Sequence, residues 1–323
     1  MEQVNRITKK TEIIKPIDRI EVLIIVDNYV DLLLPDSNFV NRAPVLANKN
    51  IPRGTLFAEH GLSLMISVYL GEEKHSLLFD TGYTEISIMN NINKLMINPD
   101  DIEAIVISHF HMDHTGGINS IVERCKKGVP IFVHPDAFIY PRYMKLPDGR
   151  KLIFPRTLQE KDLLNKGTKI VKTKQPTYLF NGLVLVSGEI ERLVDFEKGM
   201  PNLLLERNGI IEKDIILDDQ ALIIYLKDKG LIIISGCAHS GIINTINYAK
   251  KITNIDTIYA VIGGFHLSGQ YFESAIIPTI SELKKLDIKV LVPMHCTGWK
   301  ASKKIADEFS SFILSSVGTK IIL

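Results

Sequence analysis

The sequence predicts a mixed α/β (α+β) fold, in which sheets carry helices on their outer faces. Short apolar runs rich in Ile and Val recur along the chain and have the length of strands. The early runs follow one another as in hairpins, whereas the later runs alternate with segments of helical spacing. A chain of 323 residues with 46% hydrophobic residues can bury a large core without disulfides. We therefore expect one domain over residues 1–323.

The apolar runs predict ten strands in chain order. Several of these runs end in a small residue followed by a polar residue or a histidine, so they deliver functional side chains to loops at strand ends. The polar segment KDKG joins the run 221–226 to the run 231–236, which predicts a hairpin. The predicted strands are 19–28, 63–70, 75–82, 104–109, 129–134, 183–189, 221–226, 231–236, 257–264 and 289–295.

Helical spacing of apolar residues predicts helices at 84–95, 116–127, 240–252, 271–286 and 301–313. In the first of these, Ile86, Met89 and Leu95 fall on one side.

Residues 136–180 lack periodicity and are dense in Tyr, Pro, Arg and Lys. Linkers seldom contain so many aromatic residues, so we expect an insertion or lid over a pocket within the domain. Tyr140 and Tyr143 are candidates to stack on a planar substrate ring, with a small satellite core as the alternative. Arg142 is a candidate to bind a substrate phosphate or carboxylate, with a solvated surface charge as the alternative.

Charge and cysteine usage exclude some classes of protein. The net charge of +1 does not suggest a nucleic-acid partner. The three widely spaced cysteines argue against a disulfide framework and favour a reducing compartment. The first residues lack the apolar stretch of a signal peptide, and no apolar run reaches the ~18 residues of a membrane span. We therefore expect a cytoplasmic protein without a membrane partner.

The segment ISHFHMDHTGG (107–117) places three histidines and an aspartate within six residues, after an apolar run. His109 and His111 point the same way in an extended backbone, and Asp113 and His114 belong to the turn that follows. Imidazole and carboxylate are the ligands that Zn, Fe or Mn prefer. This set exceeds the local needs of one tetrahedral site, so we expect distant residues to complete two adjacent sites.

The pattern H-x-H-x-D-H after a strand resembles the signature of the metallo-β-lactamase superfamily. LLFDTG (77–82), SGCAHSG (235–241) and VPMHCTG (292–298) resemble further motifs of that superfamily, in the same order. The resemblance therefore covers nearly the whole chain. It implies an αββα sandwich with a binuclear metal centre at the sheet edges, holding two divalent ions. Zinc is the first choice, and Fe, Mn and Mg are open.

The resemblance also assigns ligands. It implies that His109 and His111 bind the first metal, and that Asp113, His114 and His295 bind the second. Asp80 would hold a histidine ligand in its tautomer by a hydrogen bond.

Two positions depart from the pattern of the superfamily. Glu189, in SGEIER, stands where a third histidine for the first metal is expected, which makes it a candidate ligand. The usual Gly-Asp-Thr context of the bridging aspartate is replaced by Gly-Cys-Ala-His. We expect His239 to be the ligand there. Cys237 is either a thiolate ligand or a small buried residue at a strand end.

These departures, together with AEHGLS (58–63), DDQALII (218–224) and IGGFHL (262–267), resemble a subgroup of the superfamily. That subgroup contains the archaeal ribofuranosylaminobenzene-phosphate–dihydropterin synthases. The resemblance implies an enzyme that joins a dihydropterin methyl group to an aromatic amine, so a phosphorylated or pterin-like small molecule is the expected partner. Many enzymes of this type form dimers, which makes a homodimer an open expectation.

Three functions remain open from the sequence. The first is a metal-dependent hydrolase of a small molecule, because two metals lower the pKa of a water between them. The second is the transferase just described, and the third is a di-iron redox protein, which Glu189 and Cys237 keep open. Asp113 and His266 are the candidate catalytic residues, for orienting a nucleophile or moving a proton. His60 is a candidate for the substrate pocket, with a structural role as the alternative.

Overall fold

The computed structural model describes residues 13–43 and 54–323, and their strands form three sheets. In chain order the strands are β1 (Pro16–Ile17), β2 (Arg19–Val26), β3 (Val40–Asn41), β4 (Ser63–Leu70), β5 (Glu73–Phe79), β6 (Ala104–Val106), β7 (Pro130–Val133), β8 (Arg142–Lys145), β9 (Lys151–Ile153), β10 (Lys169–Lys172), β11 (Thr177–Leu179), β12 (Val184–Val186), β13 (Leu203–Arg207), β14 (Ile210–Lys213), β15 (Ala221–Leu226), β16 (Gly230–Ser235), β17 (Ile258–Gly264), β18 (Val290–Met294) and β19 (Lys320–Ile322).

The helices connect these strands. The α-helices are α1 (Glu85–Lys94), α2 (Met112–Thr115), α3 (Ile118–Val122), α4 (Glu160–Asn165), α5 (Ile242–Thr253), α6 (Ile276–Leu283) and α7 (Gly298–Glu308). Short 3₁₀ turns span Pro99–Asp101, Pro135–Phe138, Phe180–Gly182, Glu273–Ala275 and His295–Thr297. Helix α1 begins where the Thr84 side chain accepts a hydrogen bond from the Ser87 N–H, which is a typical N-cap.

The two large sheets have different strand orders. One has eight strands in the order β10-β7-β6-β5-β4-β2-β19-β3. The other has seven, in the order β11-β12-β15-β16-β17-β18, with β1 paired to β15. In both sheets, antiparallel hairpins adjoin parallel strands: β5, β6 and β7 are parallel neighbours, as are β16, β17 and β18. Because parallel strands end at the same edge, the loops after them meet there.

Three clusters of buried apolar side chains show that the layers are stacked helix, sheet, sheet, helix. The first cluster joins residues of both large sheets, such as Ile66 and Ile234, so it lies between them. The second joins the outer face of the eight-stranded sheet to α1 and α3 through residues such as Ile88. The third joins the seven-stranded sheet to α5, α6 and α7 through residues such as Ile246 and Ile305. This is the αββα sandwich that the resemblance implied.

The predicted insertion 136–180 does not form one unit. Strands β8 and β9 leave the sandwich and make a four-stranded sheet with β13 and β14, in the order β14-β13-β8-β9. Helix α4 and strand β10 return to the sandwich, where β10 pairs with β7. Strand β11, also inside the predicted segment, belongs to the seven-stranded sheet, so the segment contributes a strand to each large sheet.

Among the described residues, we find no helix with the length and apolarity that crossing a membrane requires.

Candidate metal centre

The HFHMDH segment lies at the edge where the parallel strands end. Its first histidine, His109, follows β6, and the chain then turns into the short helix α2. The turn packs tightly against the loop after β5: a Cβ placed on Gly116 would lie 1.7 Å from the Tyr83 carbonyl oxygen. The residue type at position 116 therefore fixes how closely the two loops approach, and this approach brings the aspartate after β5 beside the histidines.

Three imidazoles form the first cluster of candidate ligands, and all three side chains are buried. His109 Nε2 lies 2.9 Å from His111 Nδ1, and His239 Nε2 lies 3.1 Å from both of these nitrogens. The third ring comes from the loop after β16, in the opposite sheet. Both large sheets therefore contribute to this cluster.

The second cluster contains Asp113, His114, Cys237 and His295. Asp113 Oδ2 lies 3.2 Å from His295 Nε2 and 3.7 Å from His114 Nε2. Cys237 Sγ lies 3.1 Å from that same histidine nitrogen. All four residues are buried, and a cysteine sulfur, a carboxylate and two imidazoles are together a set of donors for a divalent metal such as zinc.

Burial keeps the imidazoles of the first cluster neutral. It lowers the pKa of His109 and of His239 well below the ordinary value, and the pKa of His111 to about 3. Each ring therefore has a free lone pair at neutral pH. Hydrogen bonds among three neutral imidazoles can use only the one proton that each ring carries. A tetrahedral zinc site with bonds of ~2.05 Å would place its nitrogens about 3.3 Å apart. The spacing of 2.9 to 3.1 Å is close to this value, so the residues fit a metal ion.

The second cluster has an anionic centre. Burial alone would raise the pKa of Asp113, but the neighbouring His114 and His295 hold it well below its usual range. Burial alone would likewise lower the pKa of His114, but the carboxylates of Asp80 and Asp113 raise it to about 9. The carboxylate is therefore ionised and able to bind a cation, and a metal would replace the proton shared among these groups.

Side chains behind the second cluster orient its histidines. Asp80 is fully buried and its Oδ2 lies 2.6 Å from His114 Nδ1, so Nε2 faces the cluster. Ser108 donates to the two oxygens of this carboxylate from its N–H and its hydroxyl, at 2.7 Å each. On the other side, Asn28 Oδ1 lies 2.9 Å from His295 Nδ1. Such partners fix the tautomer and the ring orientation of a metal ligand.

His266 and His60 lie beside the clusters. The ring of His266 packs against that of His239 at a tilt of 46°, with centroids 4.2 Å apart, and its buried Nδ1 has no hydrogen-bond partner among the described residues. His60 lies on the other side, with Nε2 3.4 Å from Asp113 Oδ2 and its side chain 64% exposed. Both histidines line a pocket over the centre, which has a volume of about 370 Å³.

Glu189 is not part of either cluster. Its carboxylate lies 2.9 Å from His134 Nε2 and 2.9 Å from Lys174 Nζ. The residue that stands at the position of the expected third histidine is therefore engaged in a partly exposed ion pair. His239 provides the third nitrogen of the first cluster instead.

The three candidate substrate residues of the insertion do not line the pocket over the centre. Arg142 is 1% exposed, lies 3.0 and 2.9 Å from the carboxylates of Asp214 and Asp218, and is therefore unavailable to a substrate. Tyr143 donates to Glu206, and Tyr140 lies under the guanidinium of Arg156. The expectation that Arg142 binds a substrate anion is therefore wrong, and Tyr140 and Tyr143 lie outside the lining of this pocket.

Further residues line the pocket over the centre. From the small sheet and its surroundings, Met144, Phe154 and Met200 line the pocket, and Met112 and Asn28 complete its wall. Methionine side chains are flexible and apolar, so they adapt to the shape of a ligand. Asn28 carries the one available sequence signal, because it directly follows the buried run of β2.

Comparison with known proteins identifies the class of this protein. The sequence profile of the metallo-β-lactamase superfamily matches residues 64–200. The crystal structure of Tm1679, described as a metal-dependent hydrolase of the β-lactamase superfamily, superposes with a TM-score of 0.69 at 24% identity, over 94% of this chain and 98% of that one. The chain belongs to the metallo-β-lactamase superfamily.

Two curated relatives, both from Methanocaldococcus jannaschii, have a higher sequence identity to this chain than Tm1679 has. One is 7,8-dihydropterin-6-methyl-4-(β-D-ribofuranosyl)-aminobenzene-5'-phosphate synthase, which is 39% identical over 262 residues, covering 78% of this chain and 86% of the relative. The other, the uncharacterized protein MJ0448, is 32% identical over 266 residues, covering 82% of this chain and 94% of the relative.

Proposed function

We propose that this protein is a metal-dependent transferase that joins the methylene carbon of a dihydropterin to the nitrogen of an aromatic amine. The observation that carries the proposal is the 39% identity to the synthase from M. jannaschii over 78% of this chain. The subgroup motifs of the sequence point to the same chemistry. The di-iron alternative loses one of its two supports, because Glu189 lies outside both clusters, whereas Cys237 belongs to the second.

The chain offers two sets of ligands for two divalent ions. The first set is His109, His111 and His239, and the second is Asp113, His114, Cys237 and His295. Bound ions would supply Lewis-acid stabilisation of the negative charge that develops on the leaving oxygen. Zinc suits the mixture of imidazole, carboxylate and thiolate best.

The reaction needs a dihydropterin whose methylene carries an oxygen leaving group. A C–N bond forms between the amine nitrogen and the methylene carbon, the C–O bond breaks, and its electron pair leaves with the oxygen. The amine loses one proton. His266 lines the pocket, so its imidazole is our candidate to accept that proton. The methionines and Phe154 exclude water from the reacting carbon.

A direct experiment separates transfer from hydrolysis. Zinc-loaded protein is incubated with 4-(β-D-ribofuranosyl)aminobenzene 5'-phosphate and 6-hydroxymethyl-7,8-dihydropterin or its phosphate esters, and the coupled product is detected by mass spectrometry. Parallel reactions use generic lactone, thioester and phosphodiester substrates. Coupling is the expected result; hydrolysis of the generic substrates without coupling would refute the transferase and favour the hydrolase.

A matched pair of variants tests the metal ligands. His111→Ala should lose metal and coupling activity together, because it removes a nitrogen of the first cluster. His75→Ala is the control, since His75 pairs with Glu73 and Glu103 away from both clusters. Metal content is measured by elemental analysis. Wild-type metal content in His111→Ala would contradict its role as a ligand.

A further inference from the structure

A second cavity lies beside the metal centre. It has a volume of about 380 Å³, within the range of small-molecule sites. His239, a ligand of the first cluster, lines this cavity, and His266 lines both this cavity and the pocket over the centre. The imidazole of His266 therefore borders both the second cavity and the pocket over the metal centre. A reaction between two substrates needs such a pair of neighbouring sites.

The walls of the second cavity are aromatic. Phe196, Phe265, Tyr271 and Phe272 line it. The ring of Phe272 packs edge-on against His266, with centroids 4.5 Å apart, and Tyr271 packs edge-on against Phe272 at 5.1 Å. Aromatic walls favour a planar ring, which can stack on them or meet their edges.

Two residues of the cavity lining each have a buried polar atom without a hydrogen-bond partner among the described residues. Thr279 is fully buried and its Oγ1 is unpaired, and so is Nδ1 of His266. Both atoms are closed off from solvent, so the polar selectivity of the cavity depends on the groups that reach its surface. Glu197 also lines the cavity, but its two oxygens accept the N–H groups of Ile243 and Asn244, so it is already engaged.

An unpaired cation completes the cavity lining. Lys198 is exposed, and among the ion pairs of the described residues it has no acidic partner. Lys300, by contrast, is paired with Glu273, which precedes the lining residue Ser274 in the chain. A ligand whose ring enters the aromatic cavity can therefore place an anionic substituent against a free ammonium group.

We propose that this second cavity binds the aromatic amine, with its ring among the four aromatic side chains, its amino group toward His266 and its anionic substituent at Lys198. The dihydropterin then occupies the pocket over Asp113. This assignment rests on the proposed transferase function. It places the amine and the pterin on the two sides of His266, so the new C–N bond forms beside that residue.

Binding measurements on the full, zinc-loaded chain test the assignment. Isothermal titration calorimetry uses two probes: 4-(β-D-ribofuranosyl)aminobenzene 5'-phosphate for the amine and oxidised 6-hydroxymethylpterin for the pterin. Phe272→Leu removes one aromatic wall, and Ser274→Trp at the exposed lining of the cavity fills it without entering the core. Each variant should raise the Kd of the amine at least tenfold and leave the Kd of the pterin and the zinc content unchanged.

The ammonium contact has its own variant. Lys198→Ala should weaken binding of the phosphorylated amine several-fold and leave binding of its dephosphorylated form unchanged. Lys213→Ala, in the exposed strand β14, is the control and should change neither.

The outcomes distinguish a failure of the cavity assignment from a failure of the proposed transferase function. Wild-type affinity for the amine in both Phe272→Leu and Ser274→Trp would overturn the assignment, as would a loss of pterin affinity alone. A wild-type chain that binds neither probe would also overturn it. Cavity-dependent binding of the amine without any coupled product would support the cavity and refute the transferase.

Discussion

Replacing Asp80 by Asn tests how the second cluster is oriented. The carboxylate accepts the Ser108 N–H and hydroxyl and contacts His114 Nδ1, at 2.6 to 2.7 Å, and it is fully buried. An Asn side chain has the same shape but offers only one accepting oxygen. If that oxygen keeps the Ser108 N–H, the amide NH₂ faces His114 Nδ1. The imidazole must then accept there and carry its proton on Nε2, the atom that should bind metal.

The expected loss follows from this forced tautomer. Removing such a supporting group typically lowers metal affinity 10- to 100-fold, which corresponds to about 1.4 to 2.7 kcal/mol. We expect the upper end, because Asp80 and His114 have no exposed surface at which water could take over the hydrogen bond. Asp80 is linked to the first cluster indirectly, through the Ser108 hydroxyl that lies 2.9 Å from His109 Nδ1, so we expect the first metal to stay.

Metal content and chelator competition measure the effect. Asp80→Asn should bind one metal per chain tightly and the second at least tenfold more weakly than wild type. Asp136→Asn is the matched control, since Asp136 is also buried but pairs with Arg207 instead of a cluster histidine. Two metals bound with wild-type affinity in Asp80→Asn would refute the tautomer argument.

Three further changes have outcomes that the structure defines. Gly116→Ala should cost more than about 3 kcal/mol in denaturant unfolding because of its 1.7 Å clash, and a cost near that of an exposed glycine would contradict the loop packing. Arg142→Met should cost about 3 to 5 kcal/mol, since it leaves two buried carboxylates unpaired; a loss below ~1 kcal/mol would argue against the ion pairs. Burial raises the pKa of Glu197 from 4.5 to about 7, so the folded chain binds the extra proton and stability should fall by up to ~3 kcal/mol as pH rises from 4.5 to 7. Glu197→Gln should flatten this dependence in melting curves, and an unchanged slope would exclude Glu197 as its source.

The stacked sheets and the HFHMDH motif could be predicted from the sequence, because the residues that indicate each of them are neighbours in the chain. The apolar runs of β2, β4, β15 and β16 are continuous, and His109 to His114 are neighbours in the chain. The small sheet was missed for the opposite reason. Strands β9 and β14 are exposed at every position, so burial imposes no alternation on their sequences.

The errors concern charged residues whose partners are distant in the sequence. Arg142 looks like a surface cation until Asp214 and Asp218, more than 70 positions later, come to lie against it. Glu189 looks like a ligand until His134 and Lys174 pair with it. A sequence shows the charge of a residue but not which opposite charge the fold brings to it, so these roles needed the structure.

Backbone conformation at the strand ends has a consequence for metal affinity. Asp80, Ala238, His266 and His295 all have positive φ angles, between 47° and 59°, and all lie at or beside the two clusters. Each such residue costs about 1 to 3 kcal/mol, which the surrounding sheets must offset. The rigidity of the sandwich therefore holds the ligands in place. A large-to-small substitution of an apolar side chain between the two large sheets, far from any histidine, would leave a cavity there. It should loosen these strand ends and lower the metal affinity together with the free energy of unfolding.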